Sequence, residues 1–278
     1  MFFDHFPKKM GLIIAHRGAR SIAPENTLLA MKMAKECGAH SWETDVQMSK
    51  DGELVIFHDT TLARTTNIST HKAFQNRITH HVDQFTLQEL DELDTGSWFL
   101  TTDPFGTIAN GEVGGEESKV IQKQRIPLLP EILNFTKTHS FPVNLEIKDL
   151  NTPPGDILVV DKVMDMLYET GTMEYVLLSS FRHEYLHRAR VLSKGISLAV
   201  LTEEQHPPDL IEYLKSFSAI AYHPNIDICD NELIVQLQHS GFRVNSWTVN
   251  SMERAQEILH LGAGVITDWP QRLTLSPS

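Results

Sequence analysis

The chain has 278 residues, of which 41% are hydrophobic and 22% are charged, and its formal net charge is −12 at pH 7. This length and composition are typical of a soluble globular protein with one large core or two small ones. The excess of 36 acidic over 24 basic side chains argues against non-specific binding to nucleic acid or to an anionic membrane, although it allows a local positive pocket.

Predicted strands alternate with predicted helices along most of the chain. Apolar runs and apolar alternation predict strands over residues 11–15, 40–46, 143–147, 175–179, 196–201, 218–222, 242–249 and 264–267. Helical periodicity predicts helices over residues 25–37, 128–139, 156–170, 184–192, 208–216, 231–240 and 251–261. Eight strands with helices between them predict an α/β fold, the TIM (β/α)8 barrel.

Two segments break this rhythm. Residues 54–58 form a further apolar run, but the link before it is too short for the crossover that parallel neighbours need, so we predict an antiparallel return strand. Residues from about 60 to 125 contain polar turns, a short helical pattern over 87–93 and a Gly-rich stretch over 106–115. We predict a single domain over residues 1–278, in which this insertion lies over the barrel mouth.

Cysteine use and hydropathy indicate the compartment. The two cysteines, Cys37 and Cys229, are too few for a disulfide framework, and each is interpreted as a small buried hydrophobic residue. The first residues contain no apolar run of signal-peptide length, and no apolar stretch of about 18 residues occurs anywhere. We therefore expect a cytoplasmic protein without a stable membrane anchor.

Polar residues cluster at the ends of apolar runs in the first quarter of the chain. His16 and Arg17 close one run, and His58 closes another. Glu43 and Asp45 are two residues apart in a predicted strand, so their side chains share one face. A carboxylate pair near histidines is a candidate site. The alternative is a surface hairpin whose polar residues line a solvated face, which would be the preferred interpretation for an isolated hairpin.

The dipeptide Asp51-Gly52 is a strong hairpin signal and predicts a two-residue turn. With these two residues as the loop, the register places Asp45 directly opposite His58, with Glu43 on the diagonal. The return strand would therefore bring His58 back over the barrel mouth.

The predicted strand over residues 143–147 adds further polar groups. In the sequence VNLEIKD, apolar residues alternate with Asn144, Glu146 and Lys148, so the polar set is expected to point into the barrel. Leaving a buried polar group unpaired costs roughly 2–7 kcal/mol, and a closed barrel has no wet edge strand to relieve it. The polar interior therefore favours function over a purely structural role.

These residues form a set with a definite chemistry. The carboxylates Glu43, Asp45 and Glu146, with no cysteine nearby, suit a hard divalent cation such as Mg²⁺ or Ca²⁺. Arg17 and Lys148 add positive charge that suits an anionic oxygen such as that of phosphate. Together with two histidines that exchange protons near neutral pH, the set indicates phosphoester cleavage.

The motifs HRGARSIAPENT, ETDV, DGELVIFHDTTLARTT and NLEIK resemble the signature of the glycerophosphodiester phosphodiesterase family. The resemblance continues through QRIPLLPEIL, SSF, NSWTVN and GVITDWP, and so covers nearly the whole chain. It implies a TIM barrel with a small insertion after the second strand. It also implies a metal site formed by Glu43, Asp45 and Glu146, and acid–base catalysis by His16 and His58. Arg17 and Lys148 would contact the phosphate, and Trp247 would form part of the pocket wall.

The resemblance predicts hydrolysis of glycerophosphodiesters, for example glycerophosphocholine or glycerophosphoethanolamine, to glycerol 3-phosphate and an alcohol, with Mg²⁺ or Ca²⁺ as cofactor. Water and the glycerol 2-hydroxyl are both compatible nucleophiles, and either histidine could be the acid. One alternative is a lysophospholipase D-type activity, against which the acidic charge and the lack of an amphipathic anchor helix speak. Another is a non-catalytic phosphate-ligand binding protein, which would be expected to lack one of the histidines or carboxylates.

Two further residues keep two interpretations each. Asp59 either orients His58 or caps the turn. Phe181 follows a predicted strand and contacts either substrate or the core. The expected partner is a small-molecule substrate rather than nucleic acid, and the sequence does not decide the oligomeric state.

Overall fold

Nine strands form one closed sheet in the computed structural model, which describes residues 1–122 and 124–274. Eight of them run parallel and are joined in the order β1, β9, β8, β7, β6, β5, β4, β2, and β1 also pairs with β2, which closes the barrel. The strands are β1 (Ile13–Ala15), β2 (Ser41–Met48), β3 (Leu54–Ile56), β4 (Val143–Ile147), β5 (Val176–Ser180), β6 (Ser197–Thr202), β7 (Ala221–Pro224), β8 (Arg243–Ser246) and β9 (Gly264–Thr267). The ninth strand, β3, is an antiparallel neighbour of β2. The predicted TIM barrel is confirmed.

Helices surround this barrel. They are α1 (Leu28–Glu36), α2 (Leu87–Leu90), α3 (Ser97–Thr102), α4 (Gly115–Ile121), α5 (Leu129–His139), α6 (Gly155–Thr170), α7 (His183–Leu192), α8 (Leu210–Ser216), α9 (Asn231–His239), α10 (Met252–His260) and α11 (Pro270–Thr274). The main hydrophobic core lies between these helices and the outer face of the barrel. Val143, Leu145 and Ile147 of β4 belong to this core, as their alternation predicts. Within residues 1–122 and 124–274, no helix is both long and apolar enough to span a membrane.

The first helix begins three residues later than its predicted start at residue 25. Thr27 is its N-cap, and the Thr27 side chain accepts a hydrogen bond from the Ala30 amide. Asn26 has a φ of 57°, which excludes it from a right-handed helix. Glu25 and Asn26 therefore lie in the turns between β1 and α1, where their side chains are free to point to the barrel mouth.

The predicted hairpin register is wrong by one residue. Val46 pairs with Ile56 and Met48 with Leu54, so Phe57 rather than His58 lies opposite Asp45, and the Phe57 amide donates to the Asp45 carbonyl at 3.0 Å. The turn has three loop residues, 50–52. Gly52 adopts a left-handed φ of 85°, which suits this longer turn as well as a two-residue one, so the Asp51-Gly52 signal fits both loop lengths. A shift of one residue moves a side chain to the other face of a strand. His58 escapes this consequence because β3 ends at Ile56.

The first residues of the chain fill the end of the barrel opposite to the carboxyl ends of the strands. Phe2 is fully buried and packs with Leu177, Ala199 and Ala221 from three successive strands. The Phe2 amide also donates to the Ser197 side chain at 3.2 Å. Apolar side chains thus seal one end, and polar side chains collect at the other.

The segment between β3 and α5 has its own hydrophobic cluster, which includes Leu62, Phe74, Phe85 and Leu90. The predicted helical pattern over 87–93 is present as the short helix α2, whereas α3 and α4 were not predicted. Side chains of this segment contact loops at the carboxyl ends of the strands, where the Thr107 hydroxyl donates to the Ser21 carbonyl at 2.7 Å. The single domain over residues 1–278, with an insertion of about 60–125, stays a prediction.

The two cysteines are both free, and they differ in burial. Cys229 is buried, as predicted, whereas Cys37 is only partly buried at the end of α1.

Candidate active site

Three carboxylates converge inside the barrel at the carboxyl ends of β2 and β4. Asp45 and Glu146 are partners in the parallel register, and Glu43 precedes Asp45 by two residues on the same face. Ligand atoms of the three side chains lie within 4.8 Å of one another, and all three residues are buried. The predicted cluster of acidic residues is therefore formed.

Burial and mutual repulsion act on these carboxylates. Burial raises the pKa of Glu43 well above its ordinary value, and the neighbouring Asp45 and Glu146 raise it further. Burial also raises the pKa of Glu146, with Asp45 adding to the effect against the opposing pull of Lys148. For Asp45, burial opposes ionisation, but His58, Lys148 and Arg17 outweigh it and hold the pKa below its usual range.

The donor set fits a hard divalent cation. Among the described residues, neither Oε1 of Glu43 nor Oδ1 of Asp45 has a hydrogen-bond partner, although both atoms are buried. Oε1 of Glu43, and Oδ1 of Asp45 at 3.5 Å from Lys148 Nζ, offer the oxygen ligands that Mg²⁺ and Ca²⁺ prefer. The arrangement could therefore hold such an ion.

Arg17 and Lys148 border the carboxylates. The Arg17 amide donates to Oε2 of Glu43 at 3.0 Å, and Nε of Arg17 lies 3.6 Å from Oδ2 of Asp45. Lys148 Nζ donates to Oε1 of Glu146 at 2.7 Å. Burial alone would lower the pKa of both cations, but the surrounding carboxylates raise it, so both stay charged.

The backbone at Arg17 is held in a tight turn. Arg17 has a φ of 53° and Gly18 a φ of 83°. A Cβ atom at Gly18 would lie 2.6 Å from the Ala30 carbonyl carbon, so only glycine fits between this turn and α1. The His-Arg-Gly sequence thereby aims the Arg17 amide at Glu43.

His16 follows β1 and is paired with a residue that follows β9. Its Nδ1 lies 2.7 Å from Oδ1 of Asp268, and Asn250 donates to Oδ2 of the same carboxylate at 2.8 Å. Burial lowers the pKa of His16 to about 4, with Arg17 adding to this effect against the opposing pull of Asp268. With Nδ1 engaged by Asp268, Nε2 is the ring nitrogen that faces Glu43, at 3.9 Å.

His58 is paired with its neighbour in sequence. Nδ1 of His58 lies 2.7 Å from Oδ1 of Asp59, and Arg64 donates to both oxygens of Asp59, at 2.6 and 2.8 Å. The Gln47 side chain donates to the carbonyls of Phe57 and Asp59 at 2.9 and 2.7 Å, which fixes the bend after β3. This bend, rather than the strand register, brings His58 to the mouth. Of the two interpretations of Asp59, the structure supports the orienting one.

One cavity collects the predicted residues. Its wall includes Trp247 and Phe181, whose rings meet edge to face with centroids 5.3 Å apart. Phe181 is thus at the mouth and not only in the core. The cavity is lined by all eight predicted site residues, namely His16, Arg17, Glu43, Asp45, His58, Glu146, Lys148 and Trp247.

The sequence interpretation missed several residues that support this site. Asp268 directly follows β9, and the rule that found His16 at the end of β1 could have found it. Asn26 donates to Oδ2 of Asp45 at 2.8 Å, but it was included in a predicted helix. Glu25, misplaced in the same way, accepts hydrogen bonds from three arginines, Arg17, Arg20 and Arg64. No periodic signal in the sequence marks such a carboxylate.

Comparison with known proteins agrees with this geometry. The model of the glycerophosphoryl diester phosphodiesterase family matches residues 16–272. A glycerophosphodiester phosphodiesterase of Bacillus altitudinis is 35% identical over 269 residues, which are 95% of this chain and 96% of that protein.

Two solved structures share the fold. One from Silicibacter pomeroyi has a TM-score of 0.83 at 22% identity and covers 98% of this chain and 95% of that one. An Oleispira antarctica phosphodiesterase, solved in complex with the product sn-glycerol-3-phosphate, has a TM-score of 0.75 at 26% identity, over 95% of each chain. The chain therefore belongs to the glycerophosphoryl diester phosphodiesterase family, whose members are phosphoric diester hydrolases.

Proposed function

We propose that this protein is a metal-dependent hydrolase that cleaves glycerophosphodiesters, such as glycerophosphocholine and glycerophosphoethanolamine, to glycerol 3-phosphate and an alcohol. One observation carries the proposal: three buried carboxylates, two cations and two histidines, each with a carboxylate partner, line one cavity. The glycerol 3-phosphate product in the related Oleispira antarctica enzyme supports the choice of product.

Glu43, Asp45 and Glu146 would hold the divalent cation, Mg²⁺ or Ca²⁺. Such a cation supplies positive charge that stabilises the negative charge developing on phosphoryl oxygens. Two observations support this assignment: Oε1 of Glu43 and Oδ1 of Asp45 are buried without a hydrogen bond among the described residues, and the three carboxylates repel one another.

Arg17 and Lys148 are proposed to bind the phosphate oxygens. Both are charged, both line the cavity, and Nε of Arg17 is buried there without a hydrogen-bond partner among the described residues. A fixed cation next to the reacting group lowers the cost of the charge that develops there. Trp247 would form the pocket wall that faces the glycerol or the alcohol.

His16 and His58 are proposed to exchange protons with the nucleophile and with the leaving oxygen through Nε2. In both residues Nδ1 is engaged by a carboxylate, which orients the ring and leaves Nε2 for substrate. Either water or the glycerol 2-hydroxyl can serve as nucleophile in this arrangement. Acid–base catalysis of this kind contributes roughly 10²–10⁴-fold to a rate.

We also propose that residues 1–278 form one domain, in which the insertion of about 60–125 borders the mouth. Contacts of this segment with the loop after β1 and with helix α11 support the proposal, among them the ion pair of Glu112 with Arg272 at 3.1 Å. The partner in this proposal is a small molecule, and the cytoplasmic location stays a prediction.

The test is an assay of released glycerol 3-phosphate across a panel of glycerophosphodiesters, before and after exhaustive chelation and with Mg²⁺ or Ca²⁺ restored. We expect chelation to abolish turnover and one of the two ions to restore it. Excess metal should also raise the melting temperature, because the ion binds only the folded state. In Asp45→Asn, the rise in melting temperature should shrink, since one ligand charge is gone.

Full activity after chelation would contradict the metal site. Lysophosphatidylcholine in the same panel tests the lysophospholipase D alternative, which predicts that this lipid is the preferred substrate. Binding of glycerol 3-phosphate without turnover of any diester would favour the non-catalytic alternative.

A further inference from the structure

Glu25 is a buried carboxylate that lies beside the catalytic cavity without lining it in the described part of the chain. Four N–H groups of three arginines donate to it. Oε1 accepts from Arg17 Nη1 and Arg64 Nη2, both at 2.7 Å, and Oε2 accepts from Arg20 Nη2 at 2.7 Å and Arg64 Nη1 at 2.9 Å. An ionised carboxylate offers about four lone-pair sites, so these bonds use its full capacity.

The Arg64 branch leads from Glu25 to His58. Arg64 donates to both oxygens of Glu25 on one edge and to both oxygens of Asp59 on the other. Asp59 in turn holds Nδ1 of His58. The planar guanidinium fixes the relative position of the two carboxylates, because each of its forked contacts sets an angle as well as a distance.

The Arg20 branch leads from Glu25 to His16. Arg20 Nη2 donates to Glu25, and its Nη1 lies 3.4 Å from Oδ1 of Asp268, the carboxylate that holds Nδ1 of His16. This contact is longer than its counterpart at Asp59. Asn250 shares the task of holding Asp268, so we expect this branch to depend less on Glu25 than the Arg64 branch does.

The third branch is Arg17 itself. One edge of its guanidinium donates to Glu25, which leaves Nε directed toward Asp45 and the cavity. Glu25 thus determines which edge of Arg17 faces the proposed phosphate position.

We propose that Glu25 is a positioning residue that holds both catalytic histidines and the phosphate-binding arginine in one mutual geometry. The inference rests on the proposed function for the roles of His16, His58 and Arg17. Four hydrogen bonds from three guanidinium groups carry it. They connect the turns after β1 with the segment after β3, and Arg20 extends the connection to Asp268 at the end of β9.

Glu25→Gln tests the proposal, because glutamine keeps the volume but offers one acceptor oxygen and turns two donors toward the arginines. We expect kcat to fall roughly 10–100-fold, as is usual when a partner of an active-site ligand is lost, and to fall by a larger factor than KM rises. Glu36→Gln is the matched control, since Glu36 lies at the exposed end of α1 and pairs only with Lys32 in the described structure. A folded Glu25→Gln protein with kcat within about twofold of the wild type would overturn the proposal.

Arg64→Met keeps the proposal testable if Glu25→Gln does not fold. Arg64 is 42% exposed, and after its replacement the buried Glu25 carboxylate keeps its hydrogen bonds from Arg17 and Arg20. We expect kcat to fall about tenfold in the wild-type background and to change less than about twofold when His58 is already alanine, because Arg64 acts through His58. Arg188→Met, which removes a comparable exposed arginine, is the control. An equal loss in both backgrounds would show that Arg64 does not act through His58, and would overturn the part of the proposal in which Glu25 positions both histidines.

A spectroscopic readout separates this inference from the proposed function. The Nδ1 protons held by Asp59 and Asp268 can be observed by NMR in the protein without substrate. We expect Glu25→Gln to shift or broaden the signals of both histidines and Arg64→Met to affect only that of His58. Unchanged signals in Glu25→Gln would sink the inference even in an active enzyme. If Glu25→Gln changes the signals but the wild-type protein hydrolyses no diester, the proposed function would be wrong and the positioning role would stand.

Discussion

The two histidine–carboxylate pairs have the same local geometry but are built in different ways. Both pairs place a carboxylate oxygen 2.7 Å from Nδ1 of the histidine. The pair of His16 and Asp268 joins residues 252 apart at two neighbouring barrel strands, and both side chains are nearly buried. The pair of His58 and Asp59 joins sequence neighbours in the segment after β3, where 29% of the His58 side chain is exposed.

The difference shows two ways to orient an imidazole. Closure of the barrel fixes the first pair, so its geometry follows from the fold itself. The second pair depends on side chains that hold a bend: Gln47, which bonds to the carbonyls of Phe57 and Asp59, and Arg64, which bonds to the Asp59 carboxylate. We therefore expect the first pair to be rigid and tied to global stability, and the second to be adjustable and more sensitive to local substitutions.

Removal of either imidazole is the most severe test of the comparison. His16→Ala and His58→Ala should each lower kcat by at least about 100-fold, the low end of acid–base contributions. Metal affinity, measured by calorimetric titration with Mg²⁺ or Ca²⁺, should change little, because neither imidazole is proposed as a ligand. Near-normal turnover in either variant, or a loss explained by lost metal alone, would contradict the roles.

Substitution of the carboxylate partners, Asp268 and Asp59, should have different effects on stability in the two pairs. Asp268→Asn and Asp59→Asn should each lower kcat roughly 10–100-fold, since the rings lose their orientation. Only Asp268→Asn should also lower the free energy of unfolding clearly, by about 1.5–3 kcal/mol, because a buried hydrogen bond to a charged group is lost. Urea unfolding and steady-state kinetics measure both effects. Asp161→Asn, at an exposed ion pair with Arg188, is the control, and equal stability losses at Asp268 and Asp59 would contradict the distinction.

A third histidine sharpens the comparison because its partner is an amide. His223 is fully buried, and its Nε2 lies 2.8 Å from Nδ2 of Asn245. Burial lowers the pKa of His223 from 6.5 to about 3. As pH falls below 6.5, the imidazole of His223 binds a proton in the unfolded chain before it does so in the folded protein. The stability that the neutral ring provides is therefore complete above pH 6.5 and is lost as pH falls toward 3.

His223→Gln should therefore flatten the fall in unfolding free energy with decreasing pH, by at most about 1.4 kcal/mol per pH unit between these two values. Urea unfolding at pH 7, 6 and 5 measures the slope. His187→Gln, at an exposed position of α7, should leave it unchanged. A His223→Gln protein with the slope of the wild type would show that this ring does not control acid stability.

The parts of the site that the sequence predicts are those set by strand periodicity. Glu43, Asp45, Glu146 and Lys148 were placed correctly, because alternation along a strand determines which face a side chain occupies. The predicted register also puts His58 in the cavity, but that register is wrong. His58 lies there because Gln47 holds a bend that no periodicity encodes.

Other supporting residues depend on contacts that sequence spacing does not reveal. Asp268 meets His16 only when β1 pairs with β9. Pro24 and the following apolar residues predict a helix that includes Glu25, whereas the Thr27 cap places the start of that helix later. Long-range contacts of this kind require the three-dimensional structure.

The pairing of β1 with β9 has a consequence for synthesis of the chain on the ribosome. Ile13–Ala15 is made about 250 residues before its partner Gly264–Thr267. Until then one edge of β1 lacks this partner, and an unpaired strand edge is a template for aggregation. Since Asp268 follows directly, a nascent chain that stops before β9 also lacks the carboxylate that orients His16. Barrel closure and a complete active site are therefore reached at the same step of synthesis.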